Sequence, residues 1–133
     1  MKLGTLITIA AVIAVAFGVP FVAAPALMLT QYGIVALPGT TILARFFGAA
    51  LINIGLVLFA VRAVAEPTVR LGVARASLVG SLAGLLVAVH GQRTGAVNSL
   101  GWSTVAIYAL LSAGYAYFAL RARVESADSR GTL

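Results

Sequence analysis

The sequence predicts an all-α integral membrane protein: a four-helix up-down-up-down bundle with both termini cytoplasmic and a short interfacial helix after the first span. Three observations predict it. Of 133 residues, 62% are hydrophobic and only 9% charged, far from the roughly 25% charged residues of an average soluble domain. The charges are segregated, with none between Lys2 and Arg45, Arg45 and Arg62, Arg75 and Arg93, or Arg93 and Arg121. The apolar runs between them are long enough to cross a bilayer, since about 20 such residues cover roughly 30 Å of hydrocarbon.

Four spans follow, near residues 3–24, 41–63, 71–91 and 99–121, forming one domain over 1–123 with a disordered tail at 124–133. The first span has some features of a secretory signal peptide, with Lys2 ahead of it and "FVAAPA" after it. Against that, a single lysine makes a poor n-region, and the run from Leu3 to Val19 exceeds the 7 to 15 residues typical of an h-region. The N-terminus is therefore expected to be retained. After this span, "AAPALMLTQYG" carries Pro25 where a first helical turn tolerates it and Gly33 where a helix stops, which gives the interfacial helix. "ALPGTT" supplies a turn with Thr40 or Thr41 to cap the second span. Pro67 breaks the chain before span three, and Asn98 or Ser99 caps span four. Short connections favour antiparallel neighbours.

Orientation follows from the basic residues. Lys2, Arg62, Arg70, Arg75, Arg121, Arg123 and Arg130 fall on one side, against Arg93 and, just inside a helix end, Arg45. The positive-inside rule makes the first side cytoplasmic. The net charge of +6 is thus a topology signal, and one that attracts anionic lipids. Dispersed at helix ends, these residues do not form a nucleic-acid platform.

Helices in lipid gain little by hiding apolar surface from one another, so small residues that allow close approach carry the packing signal. Span three has the longest series, Gly72, Ala76, Gly80, Gly84 and Ala88, spaced by fours. Span two offers Ala44, Gly48 and Gly55, and span one Ala10, Ala14 and Gly18. These faces serve packing within one chain or, for span three above all, docking of another subunit.

Polar residues inside the spans are the remaining signal. Asn53 falls near mid-membrane, where its amide needs partners within a bundle. Thr104, Tyr108, Ser112 and Tyr115 share one face of span four, and Ser81 lies at similar depth, so the six define an expected polar seam. The seam either holds spans two to four together or lines a path or ligand site. Arg45 and Arg62 lie 17 residues apart, about 25 Å along a helix, so both can snorkel to opposite interfaces. Arg45 also has His90 and Arg93 at the same outer face, an expected cationic cluster suited to an anionic headgroup or a partner's carboxylate. Gln31, Tyr32, Gln92, Asn98 and Trp102 belong to that face as well.

The chain lacks cysteine, and Glu66, Glu125 and Asp128 are its only acids, all outside the spans. Proton-coupled transport commonly relies on buried ionisable groups, and a lone His90 cannot build a metal site. No catalytic constellation, metal site or cofactor fingerprint is expected, and the chain is expected not to be an enzyme.

The segments "APALMLTQYG", "ARFFGAALINIGLVLFAVR" and "GAVNSLGWSTVAIYALLSAGYAYF" resemble small, uncharacterised four-helix bacterial inner-membrane proteins of unknown function. That resemblance implies a bacterial inner membrane and transfers no activity. Two functional expectations stand. The first is a non-catalytic accessory subunit or assembly protein packing on other membrane helices. The second is a lipid or small-molecule binding protein, carrier or channel acting as a homo-oligomer.

Overall fold

The computed structural model describes the backbone of residues 2–131 and the side chains of 2–121. Five helices follow in order among the described residues: α1 (Leu3–Ala23), α2 (Pro25–Gln31), α3 (Pro38–Val61), α4 (Pro67–Arg93) and α5 (Gly101–Gly131). Four of them are long and apolar enough to span a membrane, α5 over Gly101–Arg121. The α5 backbone stays helical to Gly131, across most of the segment expected as a tail; its side chains from 122 on lie outside the described residues.

Prolines set three helix starts. Pro25, Pro38 and Pro67 all stand in a first turn, where the missing N–H costs nothing because it has no intrahelical partner. α3 therefore begins three residues ahead of the expected start, and α4 four ahead. The N-cap of α3 is Leu37 and not Thr40 or Thr41, because the helix starts earlier; Thr40 stands inside the first turn, where its Oγ1 accepts the Leu37 N–H at 2.8 Å. Gly33 follows α2 with φ +76°, a left-handed conformation that glycine adopts without a Cβ penalty.

The helices form two antiparallel pairs. In the first, Gly18 meets Gly48 and Gly55 meets Ala11 and Val15, so α1 and α3 run in opposite directions with backbones nearly touching. In the second, Gly84 meets Tyr108 and Ser81 meets Ser112 across α4 and α5. The pairs join mainly through α1 and α5, and α3 makes no more than marginal contact with α4 or α5. One end is closed by a cluster of Leu3, Leu6, Ile7, Ala10, Ala74 and Tyr115, flanked by Leu58, Val73, Leu78, Leu111 and Phe118. At the other end Phe21, Leu29 and Ala44 gather Phe17, Met28, Tyr32 and Ile34. Here α2 is tied to the α4–α5 connection: Asn98 donates its backbone N–H to the Tyr32 carbonyl at 3.0 Å and its side-chain amide to the Gln31 carbonyl at 2.8 Å.

Candidate functional site: a two-sided cleft between the helix pairs

Two pairs pinned at both ends and barely touching between α3 and α4 leave space in the middle. That space is a cleft of about 780 Å³, within the range of small-molecule sites. Its two sides differ chemically. The α1 and α3 side is aliphatic and aromatic apart from Thr40 at one end, with Ile13, Phe17, Phe21, Leu43, Phe47, Leu51, Ile54 and Leu58. The α4 and α5 side carries five hydroxyls, Ser77, Ser81, Thr104, Tyr108 and Tyr115, set among Ala76, Gly80, Ile107 and Leu111. No charged side chain lines it.

Helical phase produces the apolar side. Leu43, Phe47, Leu51, Ile54 and Leu58 step by four, four, three and four, a single stripe on α3. Beside that stripe, Ala44, Gly48 and Gly55 are buried against α1. Several wall residues remain exposed, Leu43 at 67%, Ile54 at 52% and Phe47 at 48%. Ala76 and Gly80, across the cleft on α4, are exposed too. The cleft is thus open along the side where α3 faces α4. Its Tyr32 end is closed by aromatic contacts, with the Phe21 and Phe47 rings edge-on at 5.1 Å and Phe21 and Tyr32 at 6.4 Å. The Tyr32 hydroxyl adds a 3.3 Å hydrogen bond to Thr104.

On the hydroxyl side, Ser112 donates to Ser81 at 3.1 Å, and Ser81 donates to the Leu78 carbonyl at 3.0 Å. The Tyr108 hydroxyl has no hydrogen-bond partner among the described residues. Tyr115 is only 2% exposed, and its hydroxyl, faced by the Ser77 side chain, makes no hydrogen bond of normal geometry. Hydroxyl groups with unused capacity on a partly buried wall fit a ligand that offers an oxygen or a hydroxyl of its own.

The expected seam is therefore assembled in large part. Ser81, Thr104, Tyr108 and Tyr115 share the cleft, and Ser112 lies just behind it, bonded to Ser81. Asn53 does not join them; it is exposed and its side chain makes no hydrogen bond among the described residues. At roughly 100° per residue it stands about 140° round α3 from Gly48 and about 120° from the middle of the cleft stripe. Depth along the helix matched the seam, but direction did not.

The span-three stripe also divides. Gly84 packs so closely on the Tyr108 ring that a methyl there would overlap it. Ala76 and Gly80 face the cleft, and a methyl on Gly72 or Gly80 would meet nothing within 4 Å. The close backbone approach belongs instead to α1 and α3. A methyl on Gly48 would lie 2.7 Å from the Gly18 carbonyl oxygen, and one on Gly55 would lie 2.9 Å from that of Ala11. Arg45, His90 and Arg93 are each exposed, and no hydrogen bond or ion pair among the described residues links them.

Sequence reasoning missed the cleft itself and Ser77, whose serine four residues before Ser81 was the available signal. Compared with known proteins, the chain matches no protein-family model, no curated protein and no solved structure.

Proposed function

We propose that the protein is a non-catalytic, multi-pass membrane protein that holds an uncharged, largely apolar molecule in the cleft between its two helix pairs. The observation that carries this reading is the two-sided wall. An aliphatic and aromatic surface on α1 and α3 faces five hydroxyl side chains on α4 and α5, with no charge between them. Such a wall suits a molecule with an apolar body and one or a few hydroxyl or carbonyl oxygens along one edge. The opening between α3 and α4 faces what would be the bilayer interior, so the ligand enters sideways from lipid without crossing water. The charge bias supports a cytoplasmic Lys2 end, and a bacterial inner membrane accords with the resemblance of the sequence.

The test is native mass spectrometry of the protein extracted in a mild detergent from its own membrane, alongside Ile54→Trp and Gly80→Leu, which fill the cleft from its two sides. A bound apolar molecule on the natural protein that both variants lose, while still inserting and migrating as folded species, supports the reading. Equal retention by all three removes the cleft as the site.

A second reading is favoured by a different observation. Asn53 presents an unpartnered amide on the outer face of α3, at a depth where lipid offers no hydrogen bonds. A helix of another membrane protein, or of a second copy, would satisfy it. On this reading the protein is an accessory or assembly subunit, and co-extraction of a stoichiometric partner that Asn53→Leu releases is the result that favours it.

A further inference from the structure

A second pocket lies outside the cleft, at the end of the bundle where α1 begins and α3 ends. It has a volume of about 510 Å³ and is lined by Lys2, Gly4, Thr5, Thr8, Arg62 and Arg70. The three cations come from three separate places: the residue before α1, the residue after α3 and the first turn of α4. The fold brings them together at a cost, because like charges repel and because Lys2 and Arg70 sit at helix N-termini, already the positive ends of the helix dipoles. Arg62 stands at the negative, C-terminal end of α3, but no acidic side chain among the described residues pairs with any of the three. Glu66, the only acid with a described side chain, neither caps α4 nor forms an ion pair among the described residues, and it is not part of the pocket wall.

The pocket is also prepared to donate hydrogen bonds. Arg62 is held in place by its own last turn, donating one guanidinium nitrogen to the Phe59 carbonyl and lying 3.4 Å over the Phe59 ring centroid. Its remaining N–H groups stay available, in the planar fork that matches phosphate oxygens. Arg70 is half-buried, and neither its side chain nor that of Lys2 has a hydrogen-bond or ion-pair partner among the described residues. The Thr8 hydroxyl is spent on the Gly4 carbonyl at 2.8 Å, whereas that of Thr5 is unused.

We propose that this pocket binds an anionic phosphate group. Two guanidinium groups, an ammonium and a hydroxyl offer more donors than a carboxylate can accept, and a tetrahedral phosphate accepts from all sides. The phosphate is carried by a lipid headgroup: the pocket lies where apolar helices end, at the depth where headgroup phosphates stand beside a membrane-spanning bundle. This site is independent of the cleft and stands or falls without it.

The experiment uses the full chain in detergent, titrated with dioleoyl phosphatidylglycerol, dioleoyl phosphatidylcholine and inorganic phosphate, with binding read by native mass spectrometry. Arg70→Gln and Lys2→Gln are compared with Arg45→Gln, which removes the same charge from the other end of the bundle. Phosphatidylglycerol is expected to bind at least tenfold more tightly than phosphatidylcholine, and each pocket variant to lose roughly tenfold of that binding. Arg45→Gln should leave it unchanged. Competition by millimolar inorganic phosphate that Arg70→Gln abolishes supports the phosphate site and shifts its source from lipid to solution. If Arg45→Gln weakens binding as much as Arg70→Gln, the attraction is diffuse charge and the pocket is overturned. Equal binding of the two lipids with no competition by phosphate overturns it as well.

Discussion

Gly48 of α3 and Gly18 of α1 lie with their backbones in contact: a methyl on Gly48 would stand 2.7 Å from the Gly18 carbonyl oxygen and 2.9 Å from the Val22 nitrogen. Both obstacles are main-chain atoms inside helices, which cannot step aside as a side-chain end can. This contact sets how closely the first helix pair packs, and the cleft stripe on α3 is oriented by it.

The first prediction follows directly. Gly48→Ala forces the two helices apart and should destabilise the protein by about 1–3 kcal/mol, the usual range for overpacking. Gly80→Ala is the matched control, since a methyl there meets nothing within 4 Å. It should leave stability unchanged or raise it slightly, because glycine costs roughly 0.5–1 kcal/mol in a helix relative to alanine. Thermal unfolding in detergent, followed by circular dichroism, separates the two. Equal losses would show that α4 docks through Gly80 and that the cleft is not open.

The tie at the Tyr32 end gives the second. Asn98 links α2 to the α4–α5 connection through the Gln31 and Tyr32 carbonyls, and its Oδ1 accepts the Leu100 N–H at 3.0 Å. Asn98→Ala removes the two side-chain bonds, each contributing about 0.5–1.5 kcal/mol. Amide hydrogen exchange should quicken over residues 29–34 and 98–103 while α1 and α3 stay protected. Unchanged exchange over 29–34 would mean that the Asn98 backbone bond to Tyr32 and the apolar contacts of Leu29 and Tyr32 suffice to hold α2.

Ser81 and Ser112 allow a third, by double-mutant cycle. The pair joins α4 to α5 through one 3.1 Å hydrogen bond. Interhelical bonds of this kind in membrane proteins average about 0.6 kcal/mol, and alanine at both positions should give a coupling energy of that order. A coupling above about 1.7 kcal/mol, the largest such value, would mean that the pair is part of a wider network through Tyr115 and Ser77.

How far the sequence discloses this arrangement differs by feature. The four apolar helices are legible because segregated charge and long apolar runs are properties of the chain alone. Boundaries drift where proline acts: Pro38 and Pro67 begin helices, whereas the turn-forming neighbours of each suggest a later start. The seam is legible in part because Thr104, Tyr108, Ser112 and Tyr115 share one helical face, which periodicity reveals. What periodicity withholds is the neighbour that a face meets. The five-residue stripe of α4 has the longer pattern, yet the shorter sets in α1 and α3 make the close contact, because packing needs two complementary surfaces and α5 presents Tyr108 where a small residue would be required. The cleft is illegible for the same reason, since its volume comes from how two pairs lean on one another and from no residue by itself.

Asn53 carries the last prediction. If α3 faces only lipid at this position, the amide is left without partners in hydrocarbon, and Asn53→Leu should insert more readily and unfold at a higher temperature. If a partner helix covers the position, the same substitution removes a hydrogen bond between chains and should release that partner on native gels or in mass spectrometry while the monomer keeps its fold. The direction of the change in unfolding temperature, measured once on the isolated chain and once on the assembly as extracted, distinguishes the two. A rise in both places Asn53 in lipid and removes the outer face of α3 as a docking surface. A rise for the isolated chain with a fall for the assembly identifies the amide as the contact, because only a bond made between chains stabilises the complex and costs the free protein.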